Sequence, residues 1–189
     1  MDKRVLYDQK RLKLLRRAWL FNLVPFISKV YVAGSLALGN VRENSDFDVV
    51  VVTESGRLYT CRFFCLLLFG IAGWRRTLQN ARDGFCFNHF TTSLSINVNF
   101  PHFDGRQNEG MGLYAKQLYQ NLIEIPMRRT CSISLMGRLE PFFKWLQIYR
   151  VKKFLKKFPP TPNSRIIYND ERVELCFNLK ELERTVKKL

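Results

Sequence analysis

The chain reads as an α/β (α+β) protein: a small mixed β-sheet flanked by helices, with a helical and basic C-terminal half. Three observations predict this. Two apolar runs, Lys29–Ala33 and Phe47–Thr53, lie either side of a Gly-Ser step. A third β-prone run, the aromatic Phe85–Thr92, follows a long apolar helix. From Met111 onward the pattern turns to helical periodicity.

The elements follow in order. Lys3 to Asn22 reads as a helix in which Leu12, Leu15 and Trp19 share a face while Lys10, Lys13 and Arg17 point elsewhere. Pro25 ends it. The unbroken valines of Phe47–Thr53 suit a central strand buried on both faces. Ser55-Gly56 is a turn, and Arg57 to Gly70 a helix apolar nearly all round. Arg75 to Gly84 is a basic loop, and Pro101 to Gly112, with three glycines, an exposed one. Helices are expected over Leu113–Ile123 and Ile133–Phe158, the latter broken near Gly137. Pro159–Pro162 is a stiff stop, Arg165–Tyr168 a short strand, and Asn178–Leu189 a closing helix. These divide the chain into a core over 1–110 and a helical extension over 111–189.

Composition narrows the classes. The 189 residues are 47% hydrophobic and 14% aromatic, enough for a packed core and contrary to disorder. Thirty-one basic against 16 acidic residues give a formal charge of +15, which attracts polyanions: nucleic acid, nucleoside triphosphates or an anionic membrane surface. The five cysteines lack a Cys-x-x-Cys pair and read as reduced thiols of a cytoplasmic protein, with Cys65 and Cys86 buried; Cys61 and Cys65, four apart, have no partners that complete a metal site. No signal peptide is evident, and the apolar run Phe63–Trp74 is too short to span a bilayer.

The chemistry concentrates in Val32–Val52. Gly34 lets the main chain approach a phosphate, and the Ser35 hydroxyl donates to a phosphate oxygen at the start of a helix. Ten residues separate Ser35 from Asp46-Phe47-Asp48, whose acids, two apart in a strand, project to one side. Two carboxylates beside a phosphate cradle are suited to hold Mg²⁺ or Mn²⁺ against a triphosphate. The competing reading is structural: Gly34-Ser35 as an ordinary turn and cap, Asp46 as a strand end, and Asp48 paired with Arg42 or Arg62.

This joint pattern resembles the signature of the DNA polymerase beta superfamily of nucleotidyltransferases, and within it the small bacterial nucleotidyltransferase-domain proteins. The resemblance covers Val32–Val52 and extends more weakly through Arg57–Trp74 and Phe85–Asn88, about a third of the chain. It implies a mixed sheet flanked by helices and transfer of a nucleoside monophosphate from an NTP. Ser35 would contact the terminal phosphates, and Asp46 and Asp48 would ligate the metals. The superfamily usually carries a third carboxylate on a later strand. The matching strand here, Phe85–Thr92, has no Asp or Glu. It offers Asn88, whose carbonyl oxygen suits a metal, or His89 as a base. Asp83 and Asp104 are loop acids that would have to swing in.

The basic segments complete the expectations. Arg57, Arg62, Arg75, Arg76 and Arg82 are candidates for the phosphate tail, Arg62 foremost, with a solvated face as the alternative. In Gln147–Phe158, Ile148, Val151, Phe154, Leu155 and Phe158 fall on one arc and Arg150, Lys152, Lys153, Lys156 and Lys157 on the other. That is a core-packed helix with a basic face able to meet a nucleic-acid backbone. No zinc finger, RNA-recognition signature or Walker loop is present, which excludes a sequence-specific reader of those types. The expected activity is metal-dependent transfer to a hydroxyl acceptor, an RNA end being favoured by the charge. The alternative is a catalytically degraded relative acting as a nucleotide- or nucleic-acid-binding regulatory module.

Overall fold

The computed structural model describes residues 3–77, 81–95, 123–127, 137–157 and 165–176. Six strands form one mixed sheet: β1 (Ile27–Val32), β2 (Phe47–Thr53), β3 (Phe85–Thr92), β4 (Ile123–Glu124), β5 (Arg165–Tyr168) and β6 (Arg172–Cys176), in the order β4-β1-β2-β3-β6-β5. Among the described strands, only β2 and β3 pair in parallel. Parallel neighbours require a crossover, and α3 (Leu58–Ile71) supplies it. The valine run of β2 is therefore central, as expected, and buried almost throughout.

α1 (Lys3–Ala18) runs into a 3₁₀ turn, Trp19–Leu23, whose Phe21 packs against α3. Aromatic rings fill the space between. Phe69 of α3 lies 4.6 Å from Phe21, 4.7 Å from Phe85 and 4.9 Å from Phe87, ring centre to ring centre. Truncating such a ring costs about 3–5 kcal/mol through lost contact and the cavity left behind.

α4 (Glu140–Lys157) lies on α3, with Phe63 and Phe143 stacked at 4.3 Å. Its inward side is Phe143, Gln147 and Val151. Phe154, expected on that side, is exposed. Both Glu140 carboxylate oxygens accept hydrogen bonds from the Tyr59 and Thr60 amides at 2.8 Å, so the first turn of α3 is capped from another helix. Arg57 returns the contact by donating to the Gly137 carbonyl at 2.9 Å.

Two expectations change. The stripe Leu12, Leu15, Trp19 does share a side of the first helix, but that side faces solvent. The inward residues are Lys10, Leu14 and Ala18. Lys10 is drawn in because its ammonium donates to the carbonyls of Glu43 and Ser45 and pairs with Asp83. The second change is β6. It was not expected, and it forms a hairpin with β5 closed by Asn169, whose side-chain oxygen accepts from the amides of Glu171 and Arg172. The second half thus adds strands as well as a helix. The helix expected over Leu113–Ile123 overlaps the described residues only at Ile123, which is in β4. The Pro101–Gly112 loop, Asp104, Pro159–Pro162 and the Asn178–Leu189 helix lie outside the described residues.

Candidate active site

The first ladder ends where the chemistry begins. The Ala33 amide donates to the Asp48 carbonyl at 2.9 Å, which brings Gly34 against the Asp48 side chain. Gly34 has φ +65°, a left-handed conformation, and a Cβ placed on it would collide with the Asp48 carboxylate. Glycine is required there twice over. The helix that follows, α2 (Gly34–Ala37), is a single turn, so its dipole is small.

Asp46 and Asp48 share one environment, as their spacing predicts. A third donor joins them. In the parallel β2–β3 register Cys86 stands opposite Asp48, and one donor atom from each of Asp46, Asp48 and Cys86 lies within 4.8 Å of the others. Arg76 closes the group. Its Nη1 is 2.7 Å from Asp46 Oδ2, a contact of charges rather than an aligned hydrogen bond, and 3.5 Å from Cys86 Sγ.

A buttress behind holds these positions. Arg76 is fixed by its amide on the Phe85 carbonyl, and the Phe47 amide donates to the Gly84 carbonyl. Asp83, beside Gly84, adopts φ +57° and is pinned by Lys10 at 2.7 Å and Lys13 at 2.6 Å, with Arg17 donating to its carbonyl. Burial opposes the Asp83 charge, but the hydrogen bonds and charges of Lys10 and Lys13 hold its carboxyl below the usual range. Asp83 serves the frame and is not free to swing toward the other acids.

Burial first, and then the Asp46 charge, push the Asp48 carboxyl up to about 6; the Cys86 thiol and Arg76 work the other way. Burial and the two carboxylates push the Cys86 thiol up. A carboxylate pair that raises its own protonation is what a divalent cation relieves, and the missing side chain at Gly34 is what gives the Asp48 carboxylate its place. The donor set therefore fits a divalent metal held by Asp46 and Asp48. The thiol is the unusual member.

The other expected site residues fall as follows. Asn88 is half-buried, two residues beyond Cys86, where an extra residue in β3 shifts the register. His89 is buried opposite Glu174 of β6. Arg62 is turned into the α3–α4 seam, donating to Gln147 Oε1 at 2.6 Å and lying over the Phe90 ring. Burial and the charges of Arg75 and Arg150 lower it to about 10. The cation paired with the acids is Arg76 instead, because the segment Trp74–Arg76 hydrogen-bonds to Phe85 and passes directly beside Asp46. Cys86 went unmatched to the site because the parallel register that aligns it with Asp48 is set by the crossover, not by local sequence. Cys61, Cys65 and Cys86 are buried free thiols.

Comparison with known proteins agrees with this geometry. The family model for the nucleotidyltransferase domain matches residues 12–103, about half of the chain, from the α1 buttress past β3. Searches of curated proteins and of solved structures each returned no match. The matched span contains Gly34, Ser35, Asp46, Asp48, Arg76 and Cys86, and the chemistry of that domain is transfer of a nucleoside monophosphate. With its mixed sheet and flanking helices, the span 12–103 carries a nucleotidyltransferase domain, consistent with the DNA polymerase beta-like superfamily.

Proposed function

We propose that the protein moves a nucleoside monophosphate from an NTP to a hydroxyl at an RNA end, with Mg²⁺ or Mn²⁺ held by Asp46 and Asp48. The observation that carries this is the paired carboxylates against Gly34, one of them half-buried with its carboxyl pushed up to about 6. When bound, the cation neutralises the triphosphate and aligns it for in-line attack. The Gly34 backbone admits the phosphates, and the Ser35 hydroxyl donates to them. Asn88 offers a carbonyl oxygen on the neighbouring strand. The acceptor hydroxyl gives up its proton to solvent, its oxygen bonds to the α-phosphorus, the α–β bridge breaks, and pyrophosphate leaves with the bridging oxygen's electron pair.

The RNA assignment rests on charge and on α4. The outer face of that helix presents Arg150, Lys152, Lys153 and Lys156. Along it Phe142, Trp145 and Tyr149 are exposed, the last two stacked at 6.2 Å. Cations beside open rings suit a phosphate backbone and unpaired bases.

The test is incubation with labelled ATP, CTP, GTP or UTP, Mg²⁺ or Mn²⁺, and total cellular RNA. Label should pass to RNA, and Asp46→Ala or Asp48→Ala should abolish it. A second reading has one observation in its favour: the strand beside Asp48 carries no Asp or Glu, and the residue opposite Asp48 is Cys86. A nucleotide-binding module without catalysis predicts NTP binding with no transfer to any acceptor.

A further inference from the structure

Resting on the reading that Asp46 and Asp48 hold a divalent cation, we propose that Cys86 is the third ligand of that cation and turns the site's preference from Mg²⁺ toward thiophilic ions such as Zn²⁺ and Co²⁺. Three features of the structure point this way. The ladder sets Cys86 beside Asp48, and its sulfur lies within 4.8 Å of one oxygen from each acid. Two ligand atoms on one tetrahedral ion sit roughly 3.5 Å apart, so side-chain adjustment of about an ångström closes the set. Cys86 is 5% exposed, and Arg76 lies against both Asp46 and the Cys86 sulfur.

The chemistry separates the metals. Mg²⁺ takes oxygen ligands and dehydrates reluctantly, so a thiol beside it stays protonated and uncoordinated. A thiophilic ion binds the sulfur as thiolate. The S–H bond breaks, the sulfur keeps the electron pair and donates it to the metal, and the proton passes to solvent. The charges then balance: two carboxylates and one thiolate against the divalent ion and Arg76, whose Nη1 is already 3.5 Å from the sulfur. An aspartate at position 86 would give the all-oxygen set that favours Mg²⁺.

The test uses the full chain stripped of metal and titrated with Co²⁺ alone, followed by absorption. A thiolate-to-cobalt charge-transfer band in the near ultraviolet is expected. Cys86→Ser should lose that band and weaken Co²⁺ and Zn²⁺ binding about tenfold or more, on the scale of a lost or misplaced ligand. Mg²⁺ binding should be unchanged, with folding checked by circular dichroism. Cys86→Asp should also lose the band while binding Mg²⁺ more tightly. Co²⁺ bound through Asp46 and Asp48 without the band, or a band that survives in Cys86→Ser, overturns the role of Cys86 and leaves the carboxylate site standing. Binding indifferent to Asp46→Asn and Asp48→Asn would instead overturn the reading beneath it.

Discussion

Gly34 lies so close to Asp48 that the carboxylate occupies the space a side chain on residue 34 would need. Gly39 provides the control. It has φ +66°, nearly the same as Gly34, but nothing near its missing Cβ. Alanine in a left-handed conformation costs about 1 kcal/mol. Gly39→Ala should lose about that much stability and keep nucleotide affinity. Gly34→Ala should lose more and weaken NTP binding at least about tenfold, because the acid must move. Denaturant melts and nucleotide titrations of the pair check this.

The Asp48 carboxyl gives the metal-free protein a distinctive pH response. Its folded value of about 6 lies above the ordinary range. A raised carboxyl stabilises the fold only while protonated, so this contribution is complete below about 4 and is lost as pH rises through about 6. The stability of the wild type relative to Asp48→Asn should therefore fall across that window. Added Mn²⁺ should reduce the fall, since the cation stabilises the ionised form. Thermal melts from pH 4 to 7, with and without metal, read the difference.

Lys10 and Lys13 both reach Asp83, yet they differ in depth: Lys10 is 5% exposed, while the Lys13 side chain is 45% exposed. Lys10→Met strips partners from the Glu43 and Ser45 carbonyls and from a buried carboxylate. It should cost about 3 kcal/mol, the scale of breaking a buried pair. Lys13→Met should cost under about 1 kcal/mol. Because Lys10 also fixes the approach to Asp46, its variant should weaken metal binding as well, and calorimetry distinguishes the two.

Glu140 gives α3 an N-terminal cap from the start of α4. Glu140→Ala leaves two amides of the helix without that acceptor and should cost about 1–2 kcal/mol. Glu140→Gln keeps one oxygen and should cost less. Amide hydrogen exchange at Tyr59 and Thr60 should quicken in both, more so in the alanine variant.

What the chain discloses by itself follows its local signals. The valines of β2 and the aromatics of β3 place the central strands because burial on both faces needs continuous apolar runs. Asp46 and Asp48 are legible because strand periodicity alone sets them to one side. Cys86 is not: its neighbour is fixed by a parallel register 38 positions away in sequence. Lys10 reads as a surface residue until the carbonyls it serves are in place. Arg62 reads as a phosphate ligand until Gln147 of α4 claims it. The β6 strand carries a signal of its own, the Asn169-Asp170 turn before an alternating run.

The central claim is that Asp46 and Asp48 together hold a divalent cation that a triphosphate shares. Electron paramagnetic resonance of Mn²⁺, titrated into the metal-free protein with and without a non-hydrolysable NTP, measures it most directly. The account predicts Mn²⁺ bound by the wild type, held more tightly when nucleotide is present, and released by Asp46→Asn or Asp48→Asn. Free Mn²⁺ spectra throughout, or equal binding in all three proteins, would contradict it.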